Sequence, residues 1–314
     1  MPEKSKSRRG GLGLTQTHTL GKDSIVYAMA PDNVPALHVQ DGDRVVVHTC
    51  DCFEDQIQSE EQDFGELDWE RINPATGPIY VEGAEPGDLL VVNIENIRLA
   101  HRGVMTTGPN LGVLGDELAH NVIRMIPVQD GKVIFDDGVE LPLRPMIGVI
   151  GTAPAKERVA CGTPGPHGGN MDCKRIGVGA QLILPVNVPG ALLALGDLHA
   201  VMGDGETAVC GVEIAAEVEI SVQVLKGKAW PAPMVINSDA VMTIASALTL
   251  DEAANAAAKN MVHFLEHECG MDKAKATFLL SIAGDIRICQ VVDPLKTARY
   301  ELPRTIAEHY GFQF

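Results

Sequence analysis

The feature that most restricts the fold is a succession of short apolar runs, each cut off by Gly, Pro, Asp or Asn before it reaches helical length. DSIVYAMA, PALHVQ, DRVVVHT, GPIYVEG, DLLVVNIENIRL and KVIFDDGVELPL follow one another through the first half of the chain. Their β-branched content and alternation fit strands, and their boundaries fit tight turns. With 32 glycines and 19 prolines against 4% aromatic residues, turns must be frequent and the core aliphatic. From Met146 the chain continues as MIGVIGTAP, the glycine-rich PGPHGGNMDCKRIGVG, then QLILPVNVPGALLALGDLHAV and the long run TAVCGVEIAAEVEISVQVL.

Helical periodicity arrives late. Thr249 and Glu252 make a capping-box pattern ahead of DEAANAAAKNMVHFLEHEC, and Gly270 suits its C-terminal cap. Asp272 then opens a shorter apolar helix, KAKATFLLSIA. The pattern predicts an α+β, β-rich fold, with packed β-sheets or a sandwich-like β scaffold and a C-terminal helical pair. No G-x-G-x-x-G opens a helix after a strand, so a dinucleotide fold has no support. Residues 1–13 read as a flexible tail. Residues 14–314 read as a single unit, with a β-rich N-terminal half to about residue 155 and a site-bearing C-terminal half from about residue 156.

A formal net charge of -17 and a pI near 4.9 oppose nucleic acid and anionic membranes as partners. No segment has the apolar length of an export signal or a membrane span. The seven cysteines show no small-domain disulfide spacing, which fits a reducing, cytoplasmic compartment.

Chemistry-bearing residues crowd into three turns. GDLHAVMGDGE puts Asp197, His199, Asp204 and Glu206 within ten residues, and in an extended strand Asp197 and His199 share one face. A carboxylate beside an imidazole can bind a divalent metal, fix a histidine tautomer or act as a base for water. In HGGNMD, Gly168 and Gly169 permit positive φ and leave backbone N–H groups unshielded for an oxyanion. Asn170 can donate to a substrate carbonyl, and Asp172 can ligate a metal or orient a histidine. In HTCDCFEDQI, Asp51 lies between Cys50 and Cys52; this C-x-C spacing lacks a second pair for zinc, so the thiols read as buried. His263 and His267, four apart on the long helix, lack the HExxH order and read as its polar edge.

Taken in order, GVIGTAP, HGGNMD, GDLHAVMGDGE and SIAGDIRICQVVDP resemble the acetamidase/formamidase family, and the resemblance covers nearly the whole chain. It implies hydrolysis of short aliphatic amides, such as formamide and acetamide, to ammonia and a carboxylate. It also implies a β-rich homo-oligomer, dimer or higher, of the shorter, acetamidase-like branch. Asp51, Gly168, Gly169, Asn170, Asp172, Asp197, His199, Asp204 and Glu206 match family positions; His48 and His167 stay outside the assignment.

The mechanism expected on these residues uses a divalent metal, zinc by preference, held by His199, Asp172 and Asp51. Glu206 is the general base and later the proton donor to the amine, with Asp197 and Asp204 as further catalytic carboxylates. Gly169 N–H and Asn170 stabilise the oxyanion, and Gly168 and Asn170 contact the small amide substrate. Two other readings stand beside it. One is a small-molecule binding protein on the same scaffold. The other is a Cys-dependent amidase using Cys161 or Cys173, for which no activating Lys is evident. The packed acid, base and glycine features favour hydrolysis, because binding alone does not require them.

Overall fold

The structure, a computed structural model, describes residues 15–314; the tail expected at residues 1–13 lies outside the described residues. Its layering follows from side-chain alternation along the strand Leu89–Leu99. Leu90, Val92 and Ile94 enter one core, whereas Leu89 and Val91 enter another. With both faces apolar, the strand needs a covering layer on each side.

That strand lies within a nine-stranded sheet. The spatial order is Thr17–Leu20, Arg44–Thr49, Ala216–Leu225, Leu89–Leu99, Gln181–Pro185, Met234–Ile236, Ala240–Ala247, Lys296–Pro303 and Asp285–Gln290. Only the first pair is parallel. One face is covered by a six-stranded sheet of Gly168–Asn170, Met146–Gly151, Leu193–His199, Ala75–Val81 and Ile25–Val26, with Leu37–Val39 also paired to Ala75–Val81. Val45, Val47, Val218 and Ile220 of the larger sheet meet Ile79, Ile147, Leu195 and Leu198 of the smaller in one buried cluster. Each such aliphatic side chain contributes about 1.5–3 kcal/mol on full burial.

The other face of the large sheet carries helices α1 (Leu250–Cys269) and α2 (Lys273–Ala283). Ala257, Met261, Phe264 and Leu265 of α1 form the inward stripe, packed with Val91, Ile183, Met234 and Val241. The caps are those the sequence predicts: Thr249 and Glu252 bond reciprocally, Gly270 ends α1 with φ 61°, and Asp272 accepts the Lys275 N–H at the start of α2. The expected packed sheets with a C-terminal helical pair are therefore present. A third short helix, α3 (Arg304–His309), follows.

The two halves read from the sequence interleave. The large sheet takes Thr17–Leu20, Arg44–Thr49 and Leu89–Leu99 from the first and its other strands from the second. A four-stranded antiparallel sheet, Val139–Pro142, Lys132–Asp136, Val122–Gln129 and Arg102–Thr107, and a two-stranded pair, Ala28–Met29 with Val159–Ala160, complete the β structure of the described residues. Among the described residues no helix is long and apolar enough to cross a membrane.

Candidate active site

The strand Leu193–His199 is buried along its whole length and delivers His199 to the end of the six-stranded sheet. There Nε2 of His199 lies 3.0 Å from Glu213 Oε1, 3.5 Å from Asp197 Oδ1, 3.8 Å from Asp172 Oδ1 and 3.9 Å from Glu206 Oε1. All five side chains are buried.

Local backbone makes this crowding feasible. Gly148 faces Asp197 across the sheet, between the pairs Ile147–Leu198 and Val149–Gly196. A Cβ at position 148 would fall 2.5 Å from Asp172 Oδ1 and closer still to Asp197 Oδ2. The missing side chain is the space that the two carboxylates occupy. Gly211 does the same for the imidazole, since a Cβ there would lie 2.6 Å from His199 Nδ1. Asp172, Asp197 and Glu206 themselves adopt positive φ, at 44°, 55° and 49°. Such conformations cost about 1–3 kcal/mol each and gather at functional sites. Asp197 and His199 do meet, as their spacing predicts, but Asp197 does so from a left-handed backbone rather than from regular strand.

The electrostatics follow from burial. Burial pushes Asp172 well above the ordinary carboxylate range, with help from Asp293 and Asp197. Glu206 is likewise raised by burial and by Asp172. Burial lifts Glu213 to about 8 against the opposing pull of His199. For His199 burial alone would lower the pKa, but Glu213 and Asp197 raise it well above its usual value. Four buried acids exceed what one imidazolium can neutralise. Both oxygens of Asp172, Oε2 of Glu206 and Oε2 of Glu213 are buried without a hydrogen-bond partner. Donor atoms of Asp172, His199 and Glu206 converge within 4.8 Å of one another, as do those of Cys52, Asp197 and Glu213, so groups that could hold a metal ion are present.

Other residues expected at the site are placed differently. Asp204 is clamped by Arg299, with Nη1 and Nη2 donating to its two oxygens at 2.7 and 2.8 Å, and by Lys174 at 3.0 Å. Burial would raise its pKa, but Arg299 and Lys174 hold it below the usual range. Both of its oxygens are engaged by these cations, which anchor the loop. Gly205 and Glu206 have φ of 103° and 49°, so the strand-like i, i+2 relation between Asp204 and Glu206 is lost and the two carboxylates diverge. The same loop is pinned to the neighbouring sheet by the Gly205 N–H to the Cys289 carbonyl at 2.9 Å and the Val291 N–H to the Gly205 carbonyl at 3.2 Å.

Asp51 does not join the cluster. The strand ends at Thr49, and Asp51 Oδ1 accepts from the Phe53 and Asp55 N–H groups at 2.9 and 2.8 Å, shaping a turn. That turn presents Cys52 to the site instead. Gly168 and Gly169 do take positive φ, 98° and 78°. The Gly168 N–H is not free, however, because it bonds the Gly165 carbonyl at 3.1 Å. Both glycines pair with Ile150 and Gly151, and a Cβ on Gly169 would fall 2.5 Å from the Thr163 carbonyl. Close packing of the two glycines sets Asn170 at the end of the strand. His167 is buried against this turn, and burial lowers its pKa to about 4.

A cavity of about 110 Å³ opens beside the cluster, lined by Asn170, Asp197, Glu206, Glu213, Asp293 and Cys52 among others. Ligand pockets of drug-sized molecules run to about 300–1,000 Å³, so this one suits a ligand of few atoms. Cys52 is the thiol on its wall, and burial with the charges of Glu213 and Asp197 pushes its pKa well above the ordinary value. Cys161 and Cys173, considered as nucleophiles from the sequence, are fully buried and away from the cavity lining. The hydrogen bond from Cys289, aided by the Arg299 charge, holds the Cys173 thiol below its ordinary range against its burial, but that thiol does not face this cavity.

Glu213 and Asp293 escape notice in the sequence for identifiable reasons. Glu213 has the same odd parity as Glu217 and Glu219, which pair with Arg98 on the sheet surface. Only its bridges to Val104 and His199 turn it inward. Asp293 sits in VVDP, where a turn reading of Asp-Pro suffices.

Against this geometry, a model of the Acetamidase/Formamidase family matches residues 22–163 and 155–309. The crystal structure of an acetamidase from Bacillus halodurans is 49% identical, with a TM-score of 0.92, covering 94% of this chain and 100% of that one. A predicted acetamidase/formamidase from Thermoanaerobacter tengcongensis is 48% identical, with a TM-score of 0.94, covering 96% and 100%. The formamidase of Methylophilus methylotrophus is 27% identical over 255 residues, covering 62% of this chain. This chain spans 63% of that formamidase's length, less than two thirds.

Proposed function

The chain belongs to the acetamidase/formamidase family, and from that premise we propose that it hydrolyses short aliphatic carboxamides, such as formamide and acetamide, to ammonia and the carboxylate. The observation that carries this reading is His199 ringed by four buried carboxylates, of which Asp197, Glu206 and Glu213 line a cavity of about 110 Å³.

The donor set of carboxylate oxygens and one imidazole, with buried oxygens lacking partners, fits a divalent cation, and zinc is our choice. Asp172, Asp197 and His199 would hold it, with Glu213 beside the imidazole. A cation bound there supplies Lewis acidity toward a carbonyl oxygen and lowers the pKa of water toward neutrality.

The chain's own groups then divide the work. Glu206, whose Oε2 is unpartnered, takes the proton of the attacking water. As the new C–O bond forms and the C–N bond breaks, Glu206 returns that proton to the departing nitrogen. Water and amide thus become carboxylic acid and ammonia, which re-equilibrate to carboxylate and ammonium. Asp204 and Arg299 keep the loop that carries Glu206 in place. We also assign the protein to the cytoplasm, which its seven free thiols support. A homo-oligomer, dimer or higher, is supported by the open edge strand Asp285–Gln290 with Ile286 and Ile288 exposed, and by Phe278 and Ile282 exposed on α2.

Purified protein supplied with metal is expected to release ammonia from formamide, acetamide and propionamide, and to turn over benzamide poorly because the cavity is small. Folded, metal-supplied protein that releases no ammonia from any of the three short amides would overturn the assignment.

A further inference from the structure

We propose that Asn170 and Asp293 together read the NH₂ group of the substrate, so that this pair sets selectivity for primary amides over esters of the same size. The inference rests on the amidase reading and assigns a role to Asp293, which the sequence does not single out.

Asn170 ends the strand Gly168–Asn170, paired to Val149, and is 4% exposed. Its Nδ2 donates to Asp293 Oδ2 at 3.0 Å. Its Oδ1 is buried without a partner. Both residues line the cavity that also holds Glu206 and Glu213. A side-chain amide presents donors at nitrogen and an acceptor at oxygen, and the contact with Asp293 Oδ2 engages the nitrogen end. Asp293 therefore holds the nitrogen of Asn170 and leaves the oxygen unpaired.

The unpaired atom decides the role. An oxyanion needs a hydrogen-bond donor, so the oxyanion contact expected of Asn170 falls to the second N–H of Nδ2, and Oδ1 is left to accept. A primary carboxamide carries two N–H donors and satisfies Oδ1, whereas an ester carries none and leaves it buried and unpaired.

The orientation is imposed by the fold. Gln290 is fully buried, and its Oε1 accepts from the Val292 and Asp293 N–H groups at 2.9 and 3.0 Å. Its Nε2 donates to the Leu295 carbonyl at 2.7 Å and to Thr297 Oγ1 at 3.1 Å. The turn carrying Asp293 is thus held from beneath, and Asn170 is held through Asp293.

The test sets methyl acetate against acetamide in the metal-loaded enzyme. The ester is added as a competitor of acetamide turnover, which reads its affinity whether or not it is hydrolysed. For the wild type, the inhibition constant of the ester is expected to exceed the KM for acetamide by about tenfold or more. In Asn170→Ala the gap should close to about threefold or less, because the amide loses its acceptor while the ester loses nothing. Asp293→Asn keeps the side-chain size but removes the fixed orientation, so the gap should narrow there too; this variant carries the test if Asn170→Ala does not fold. A purely structural role would weaken both ligands alike. Equal affinities in the wild type, or an unchanged gap in the variants, would overturn the proposal while leaving the amidase reading intact. A wild type that releases no ammonia from acetamide would overturn both.

Discussion

Glu206→Gln is expected to slow acetamide hydrolysis by about a hundredfold or more while the protein keeps its fold and its metal. The substitution preserves size and leaves the positive φ of residue 206 undisturbed, since the backbone is set by the Asp204–Arg299 clamp and the Gly205 bridge. What it removes is the capacity of Oε2 to take a proton at the edge of the cavity. Steady-state ammonia release, with metal analysis of the same preparation, reads both halves of the expectation. Near-normal kcat would exclude Glu206 as the base; loss of the ion would make Glu206 a ligand.

His199→Ala is expected to fail differently. The imidazole is the one nitrogen donor among four carboxylates, and no neighbouring side chain can replace it, because Gly211 backs the ring and Gly148 faces the acids. Metal affinity should fall by at least about a hundredfold, and activity should fall with it. A variant that retains the ion and loses only turnover would move His199 from ligand to proton carrier.

The parts of this molecule that could be read from the chain are those encoded locally. Thr249 with Glu252, Gly270 and Asp272 specify helix ends through contacts within a few residues, and they cap α1 and α2 as expected. Alternation in DLLVVNIENIRL shows a strand, although that both of its faces are covered emerges only from the stacking of the two sheets and the helices. At the site, Asp197, His199 and Glu206 stand out in GDLHAVMGDGE and Asp172 in the separate turn HGGNMD, and the fold brings the four together. Asp204 stood out equally, yet Arg299, 95 residues later, claims it. Asp51 enters only through the family resemblance, and its carboxylate instead shapes the turn that offers Cys52 to the site. Glu213 and Asp293 reach the cavity through long-range pairing that no local pattern encodes.

The role of the ion is read from ammonia release from acetamide by one wild-type preparation, followed before chelation, after chelation and after zinc is added back. Metal-assisted hydrolysis at the His199 cluster predicts that turnover disappears with the ion and returns with it, in proportion to bound metal. Undiminished release of ammonia by protein shown to contain no metal would contradict it.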